Sequence, residues 1–202
     1  ENVAATVKHF AANNQEYQRE FVNTIVSERA MNEIYFPAFK SGVEKAGVLC
    51  VMSSYNKLNG HYASESDFLL LDVLKKEWGF NGLVMSDWGA VHSSIPTAKG
   101  GLDLEMPSGK FLNRETLLDE IEKGNILQST IDDKVKRILR VIFKLGLFDN
   151  DTKEIPSLVN SAENRKVALE TSRESIVLLK NEGNLLPINQ DKIKTIAVIG
   201  PN

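Results

Sequence analysis

Three short stretches carry side chains that could act on one another. Lys8-His9 follows the run Val3-Ala4-Ala5-Thr6-Val7. Ser53-Ser54-Tyr55-Asn56 follows Val48-Leu49-Cys50-Val51-Met52, and Ser86-Asp87-Trp88 follows Leu83-Val84-Met85. Each polar group comes directly after a run of strand length and composition. A carboxylate there has two readings: a loop acid closing a strand end, or a nucleophile or general base. Trp88 is either core or a flat surface for the C–H face of a sugar ring. Lys8-His9 places two cation-capable donors together, which suits an anionic or hydroxyl-rich ligand. It also leaves open an amine that forms a Schiff base, as in a barrel lyase or aldolase. Tyr55 can donate to a carboxylate or close a pocket wall. Asp103 and Glu105, two apart, share a face of an extended strand and are weaker candidates for the same place.

The elements between these stretches decide whether they meet. The apolar runs alternate with segments of helical period, the rhythm of β-α units around a parallel sheet. In such sheets the C-terminal strand edge is where sites are built. Residues 27–46 read as helix, with Ser27 as its cap and Pro37 splitting it in two. Residues 66–78 read as helix with Phe68, Leu71, Leu74 and Trp78 on one face and Gly79 as its stop. A loop precedes it, and a short helical piece over about 90–98 follows the third run. A weaker fourth run, Leu102 to Met106, ends at Pro107. Asn113 caps a helix over 114–123. Ser129 and Asp132 have capping-box spacing for a helix over 130–145. Its expected apolar stripe is Ile131, Val135, Ile138, Ile142 and Leu145, and the charge-rich remainder of 114–145 reads as an outer face. Residues 149–160 are polar and read as a linker. Beyond it a helix over 161–173, a run Ser175–Leu179 and a buried-type strand Thr195–Ile199 open a second unit.

Composition removes several function classes. The chain has 202 residues and a formal net charge of −3, from 24 basic and 27 acidic residues, without a basic cluster. That is not the footprint of a nucleic-acid binder. No apolar run has the roughly 18 residues of a membrane span. His61 lies in a Gly/Asn loop and His92 is expected on a helix surface; no His/Asp/Glu set has metal-ligand spacing, and no cofactor motif is present. Cys50, the single cysteine, reads as a small buried residue and does not set the compartment. Asn150-Asp151-Thr152 matches a glycosylation sequon, at a frequency close to chance. Glu1 comes directly before a predicted strand, which leads us to expect an upstream portion.

Several segments together resemble the β-glucosidases of glycoside hydrolase family 3. In order they are VKHFAANNQE, VMSSYNKLNG, GFNGLVMSDWGAVH and GLDLEMP, then KRILRVIFKLGLF and ESIVLLKNEGNLLPI. The resemblance implies a retaining, exo-acting enzyme that cleaves terminal β-D-glucosyl residues from a β-glucoside or short β-glucan oligosaccharide. It implies an α/β fold: the C-terminal half of a (β/α)8-type barrel over 1–148, a linker over 149–160, and the first elements of an α/β sandwich domain over 161–202. Asp87 matches the catalytic nucleophile. Lys8 and His9 match the pair holding hydroxyls of the terminal sugar, Tyr55 the tyrosine beside the nucleophile, and Met52 and Trp88 residues shaping the sugar sites. The acid/base does not match Asp103 or Glu105 and is expected from the second domain. This chain is then expected to need the remaining segments of the enzyme, or a complementary chain, for activity. β-Xylosidase or another exo-glycosidase of the family, and a non-catalytic sugar-binding scaffold, are the alternatives.

Overall fold

The computed structural model describes residues 3–149 and 155–200. It forms two compact units, Glu1–Thr152 and Lys153–Asn202. In the first, β1 (Thr6–Phe10), β3 (Cys50–Ser53) and β6 (Leu83–Met85) form a parallel sheet in the order β1-β3-β6. A parallel bridge from Met85 to Leu104 brings the fourth run alongside. Short strands β2 (Asn23–Thr24), β4 (Lys57–Leu58) and β5 (His61–Tyr62) make a second sheet. β4 and β5 form a hairpin where a loop was expected. Its turn is Asn59-Gly60, both at positive φ, the pair that a two-residue turn matching strand twist requires.

Strand alternation builds the two faces. Cys50 and Met52 of β3 pair with Leu83 and Met85 of β6, while Val51 pairs with Val84 on the opposite face. The valine face meets the helices, where Phe10, Phe36, Phe39 and Trp78 form an aromatic cluster with centroids 5.1–5.7 Å apart. Cys50 and Leu83 pack with Val141, Ile138 and Leu104. β1 starts at Thr6, three residues later than Val3, so Lys8 and His9 lie within the strand. The pairing Val7↔Val51 is followed by Phe10↔Ser53, which leaves one extra residue in β1. Such a bulge re-aims side chains at a strand end.

The helices follow the sequence signals in part. Ser27 Oγ accepts from Ala30 N at 3.2 Å and starts α1 (Glu28–Ala30). A wide turn over Met31–Tyr35 follows, and Pro37 begins α2 (Pro37–Glu44). The Phe68–Glu77 helix ends in an i→i+5 bond, Trp78 N to Val73 O at 3.0 Å. Leu74 and Trp78 are buried as expected, but the wide winding also buries Leu69, Leu70 and Val73 and leaves Phe68 39% exposed. The expected face assumed a 3.6-residue period. α3 (Ile95–Gly100) begins five residues later than expected, and residues 87–94 form a loop without helix. His92 therefore sits in a loop, its ring stacked on Tyr62 at 3.8 Å, not on a helix surface. Asn113 caps α4 (Arg114–Glu122) by accepting from Thr116 N.

α5 (Gln128–Lys144) begins before the expected capping box, with Leu127 at the cap position. Its buried residues are Lys134, Arg137 and Val141, whereas Val135 is 47% exposed. The basic face turns inward because carbonyls at the strand entries need donors away from water. Arg137 donates to Phe80 O and Gly82 O at 2.9 and 3.3 Å, and Lys134 to Leu102 O at 2.5 Å.

In the second unit, Ser161 Oγ accepts from Asn164 N and caps α6 (Ala162–Ser175). Ser175–Leu179 and Thr195–Ile199 form no strand, with Leu179 92% and Ile199 94% exposed. No described segment of this unit lies alongside to complete a ladder, without which a strand leaves its backbone groups unpaired. The sequon and linker residues 150–154 lie outside the described residues.

Candidate active site

β6 ends at Met85, and the chain continues through Ser86 to Asp87. Ser86 is anchored on both sides: its N donates to Leu104 O at 2.9 Å, and its Oγ accepts from Met106 N at 2.9 Å. Asp87 follows Leu83 and Met85 at a spacing of two, which puts it on the Cys50–Met52 face. Its side chain is 12% exposed. Oδ1 accepts from Trp88 N at 2.7 Å, and Oδ2 lies 3.3 Å from His9 Nε2. Both carboxylate oxygens are therefore oriented, one by backbone and one by a side chain from a different strand.

Tyr55 arrives from the end of β3. Its hydroxyl donates to Trp88 O at 3.0 Å. Burial raises the phenol above its usual value, and the negative charge of Asp87 raises it further. Tyr55 thus keeps its proton and remains a donor beside the carboxylate. Trp88 is 50% exposed, so it is not core; its ring is available as a surface. The structure therefore brings together His9, Tyr55, Asp87 and Trp88. Met52 is buried at the end of β3, paired in register with Met85 two residues before Asp87. Lys8 is exposed, and among the described residues its ammonium makes no ion pair or hydrogen bond.

Asp103 and Glu105 do not join this group. Asp103 is taken up by Lys75 Nζ at 2.6 Å and Val84 N at 2.8 Å. Glu105 Oε2 accepts from Phe111 N and Leu112 N at 2.8 and 2.7 Å and shapes the loop before α4. Both acids hold backbone in place.

One neighbour of the site carries no sequence signal. The Arg19 guanidinium lies 4.7 Å from the centre of the Tyr55 ring and pairs with Glu16 at 2.7 Å. Such a cation over an aromatic face is attracted by its quadrupole. Arg19 stands in a polar stretch, and nothing local ties it to a ring 36 positions further on.

Residues 1–141 match the family model described as the glycosyl hydrolase family 3 N terminal domain. Over 203 residues the chain is 44% identical to a β-glucosidase of Rhizobium radiobacter, which covers 100% of this chain and 25% of that relative. The crystal structure of a GH3 β-glucosidase from Bifidobacterium adolescentis superposes with a TM-score of 0.81 at 37% identity, over 93% of this chain and 27% of that one. The β-glucosidase of Kluyveromyces marxianus in complex with glucose gives 0.81 at 36% identity, over 93% and 23%. The chain thus spans about a quarter of the length of these relatives. Its parallel strands and flanking helices have the fold of part of their (β/α)8-type barrel.

Proposed function

The chain belongs to glycosyl hydrolase family 3, and we propose that it is the segment of a retaining, exo-acting β-glucosidase that supplies the nucleophile, Asp87. The observation that carries this reading is the 3.3 Å approach of His9 to a carboxylate whose other oxygen is already held by backbone. Asp87 attacks the anomeric carbon of a terminal β-D-glucosyl residue and forms a covalent glycosyl-enzyme, which water then cleaves. His9 and the unengaged Lys8 ammonium hold hydroxyls of that sugar. Met52 and Trp88 shape its binding surface, Trp88 offering its ring face. Tyr55 stays protonated and donates beside the carboxylate.

The departing alcohol needs a proton from a second carboxylic acid. Asp103 and Glu105 are committed to Lys75, Val84 and the 111–112 backbone, so the donor comes from another part of the enzyme. Residues 1–148 act as a barrel segment, 149–160 as a linker and 161–202 as the opening of the sandwich domain. The two compact units are in keeping with this division. The partners are a β-glucoside or short β-glucan oligosaccharide and the remaining segments of the enzyme.

The test replaces the matching segment of the Rhizobium radiobacter β-glucosidase with residues 1–202 and adds a 2-deoxy-2-fluoro β-glucoside. Peptide mass analysis is expected to find the label on Asp87. Asp87→Asn is expected to lower turnover by about 10⁴-fold or more. Label on a different residue, or normal turnover by Asp87→Asn, sinks the assignment. Borohydride trapping of a carbonyl substrate on Lys8 would move the chemistry to the Schiff-base class.

A further inference from the structure

We propose that Ser64 is a positioning residue for Asp87: its buried hydroxyl fixes the loop on which that carboxylate sits. The proposal rests on the nucleophile role of Asp87. The loop over 87–94 has no helix or strand of its own. Its placement therefore depends on individual bonds. Ala90 N donates to Asp87 O at 3.2 Å, which makes residues 87–90 one turn. That turn is held at three points. Tyr55 Oη donates to Trp88 O and Gly89 N to Met106 O, each at 3.0 Å. Ser64 Oγ donates to Ala90 O at 2.7 Å, the shortest of the three.

Ser64 and Ala90 are both fully buried, so water does not replace this donor. A carbonyl left without a partner there drives the loop to move until it finds one. The residues carrying Ser64 are themselves fixed. They form a tight turn, Ala63–Glu65, in which Ala63 N donates to Asn56 O at 3.0 Å. Glu65 Oε2 accepts from Ser93 Oγ at 2.5 Å, so the same turn holds the far end of the loop. α3 packs directly on this turn: a Cβ at Gly100 would lie 2.3 Å from Glu65 O. The bracket is thus rigid on its outer side and grips the loop at residues 90 and 93. Tyr55 faces the reacting centre; Ser64 makes its contact three residues along the loop from Asp87. A shift of about 1 Å at a reacting atom costs on the order of a hundredfold in rate.

The experiment uses the same graft into the Rhizobium radiobacter enzyme. In Ser64→Ala, the rate of covalent trapping by a 2-deoxy-2-fluoro β-glucoside is expected to fall by about tenfold or more per folded site. Glucose inhibition is expected to weaken less than trapping does, because Lys8, His9 and Met52 lie on β1 and β3 and only Trp88 rides on the loop. A loss confined to stability would instead lower the number of folded sites and leave trapping per site unchanged; that outcome overturns the proposal. Ser64→Cys keeps the volume with a weaker donor and covers the case in which the alanine variant does not fold. Its trapping rate is expected between the two, and a wild-type rate overturns the proposal as well. If the unsubstituted graft is labelled at a residue other than Asp87, the nucleophile assignment fails on its own, independently of what Ser64 does.

Discussion

The Lys75–Asp103 pair sets the frame behind the site, and its energetics can be worked from the structure. The side chains are 5% and 0% exposed and 2.6 Å apart. Lys75 also donates to Gly101 O, and Asp103 accepts from Val84 N. Burial pushes both groups toward neutrality, the lysine down and the aspartate up, against their mutual attraction. In Lys75→Met the Asp103 carboxylate keeps the Val84 amide as its hydrogen-bond partner and the more distant attraction of Lys134. Removing one partner of such a pair typically costs about 3–5 kcal/mol. There is a ceiling, because the carboxyl can instead take up a proton. From its usual value of 3.8, that costs about 4 kcal/mol at pH 7 and about 1.6 at pH 5. The orphaned Gly101 carbonyl adds about 1 kcal/mol at every pH. The sign follows. The folded variant has a raised Asp103 pKa, so it binds a proton that the unfolded chain does not, and it gains stability as pH falls below 7. Asp103→Asn has the opposite trend. The stranded ammonium has a depressed pKa, so its deficit shrinks as pH rises above 7 toward 10.5. Urea unfolding of the chain, followed by fluorescence of the buried Trp78, measures both variants from pH 5 to pH 9. Deficits below about 1 kcal/mol that are flat with pH in both variants would falsify the buried-pair account.

Two further perturbations test the packing around the same frame. Gly42→Ala in α2 is expected to stabilise the chain by about 0.5–1 kcal/mol, because the added Cβ meets Val7 at an ordinary 3.7 Å. Gly100→Ala is expected to cost about 1–3 kcal/mol, since its Cβ would meet the Glu65 carbonyl at 2.3 Å; equal unfolding midpoints for these two variants would contradict the packing. Lys134 is held by burial to a pKa of about 8, below its usual 10.5. Below pH 8 the folded chain bears the cost of a buried ammonium, and that cost fades between about 8 and 10.5, so stability rises through this window. The wild type should therefore gain about 2–3 kcal/mol on Lys134→Met between pH 7.5 and pH 10, and parallel curves would count against it.

Most of what was legible in the sequence was local. The runs at 48–52 and 83–85 mark β3, which starts at Cys50, and β6, because a buried parallel strand reads as a continuous apolar segment. Ser27, Pro37 and Asn113 act where they stand, since caps and breakers work within one turn. The Asn59-Gly60 hairpin is equally local, although its Gly/Asn composition alone reads as a loop. The inward basic face of α5 was not legible, because its partners are backbone carbonyls at residues 80, 82 and 102, and a carbonyl has no letter in the sequence.

The same limit explains why position alone says little about an acid. Asp87, Asp103 and Glu105 all stand at or near the ends of apolar runs and are all largely buried. Two of them are structural, and what separates them from Asp87 is where their charge goes. Asp103 is paired with a lysine 28 residues away in sequence, and Glu105 accepts from two consecutive amides. Asp87 is held by different groups. It has one amide from its own neighbour, an imidazole at 3.3 Å and a phenol that cannot readily give up its proton. Around it Trp88 is half-exposed, and Lys8, next to His9 in β1, is exposed. His9, Tyr55 and Trp88, from three strand ends, surround this acid, which is in keeping with the nucleophile role proposed for it. Asp103 and Glu105 are bonded instead to a buried lysine and to backbone amides of the frame.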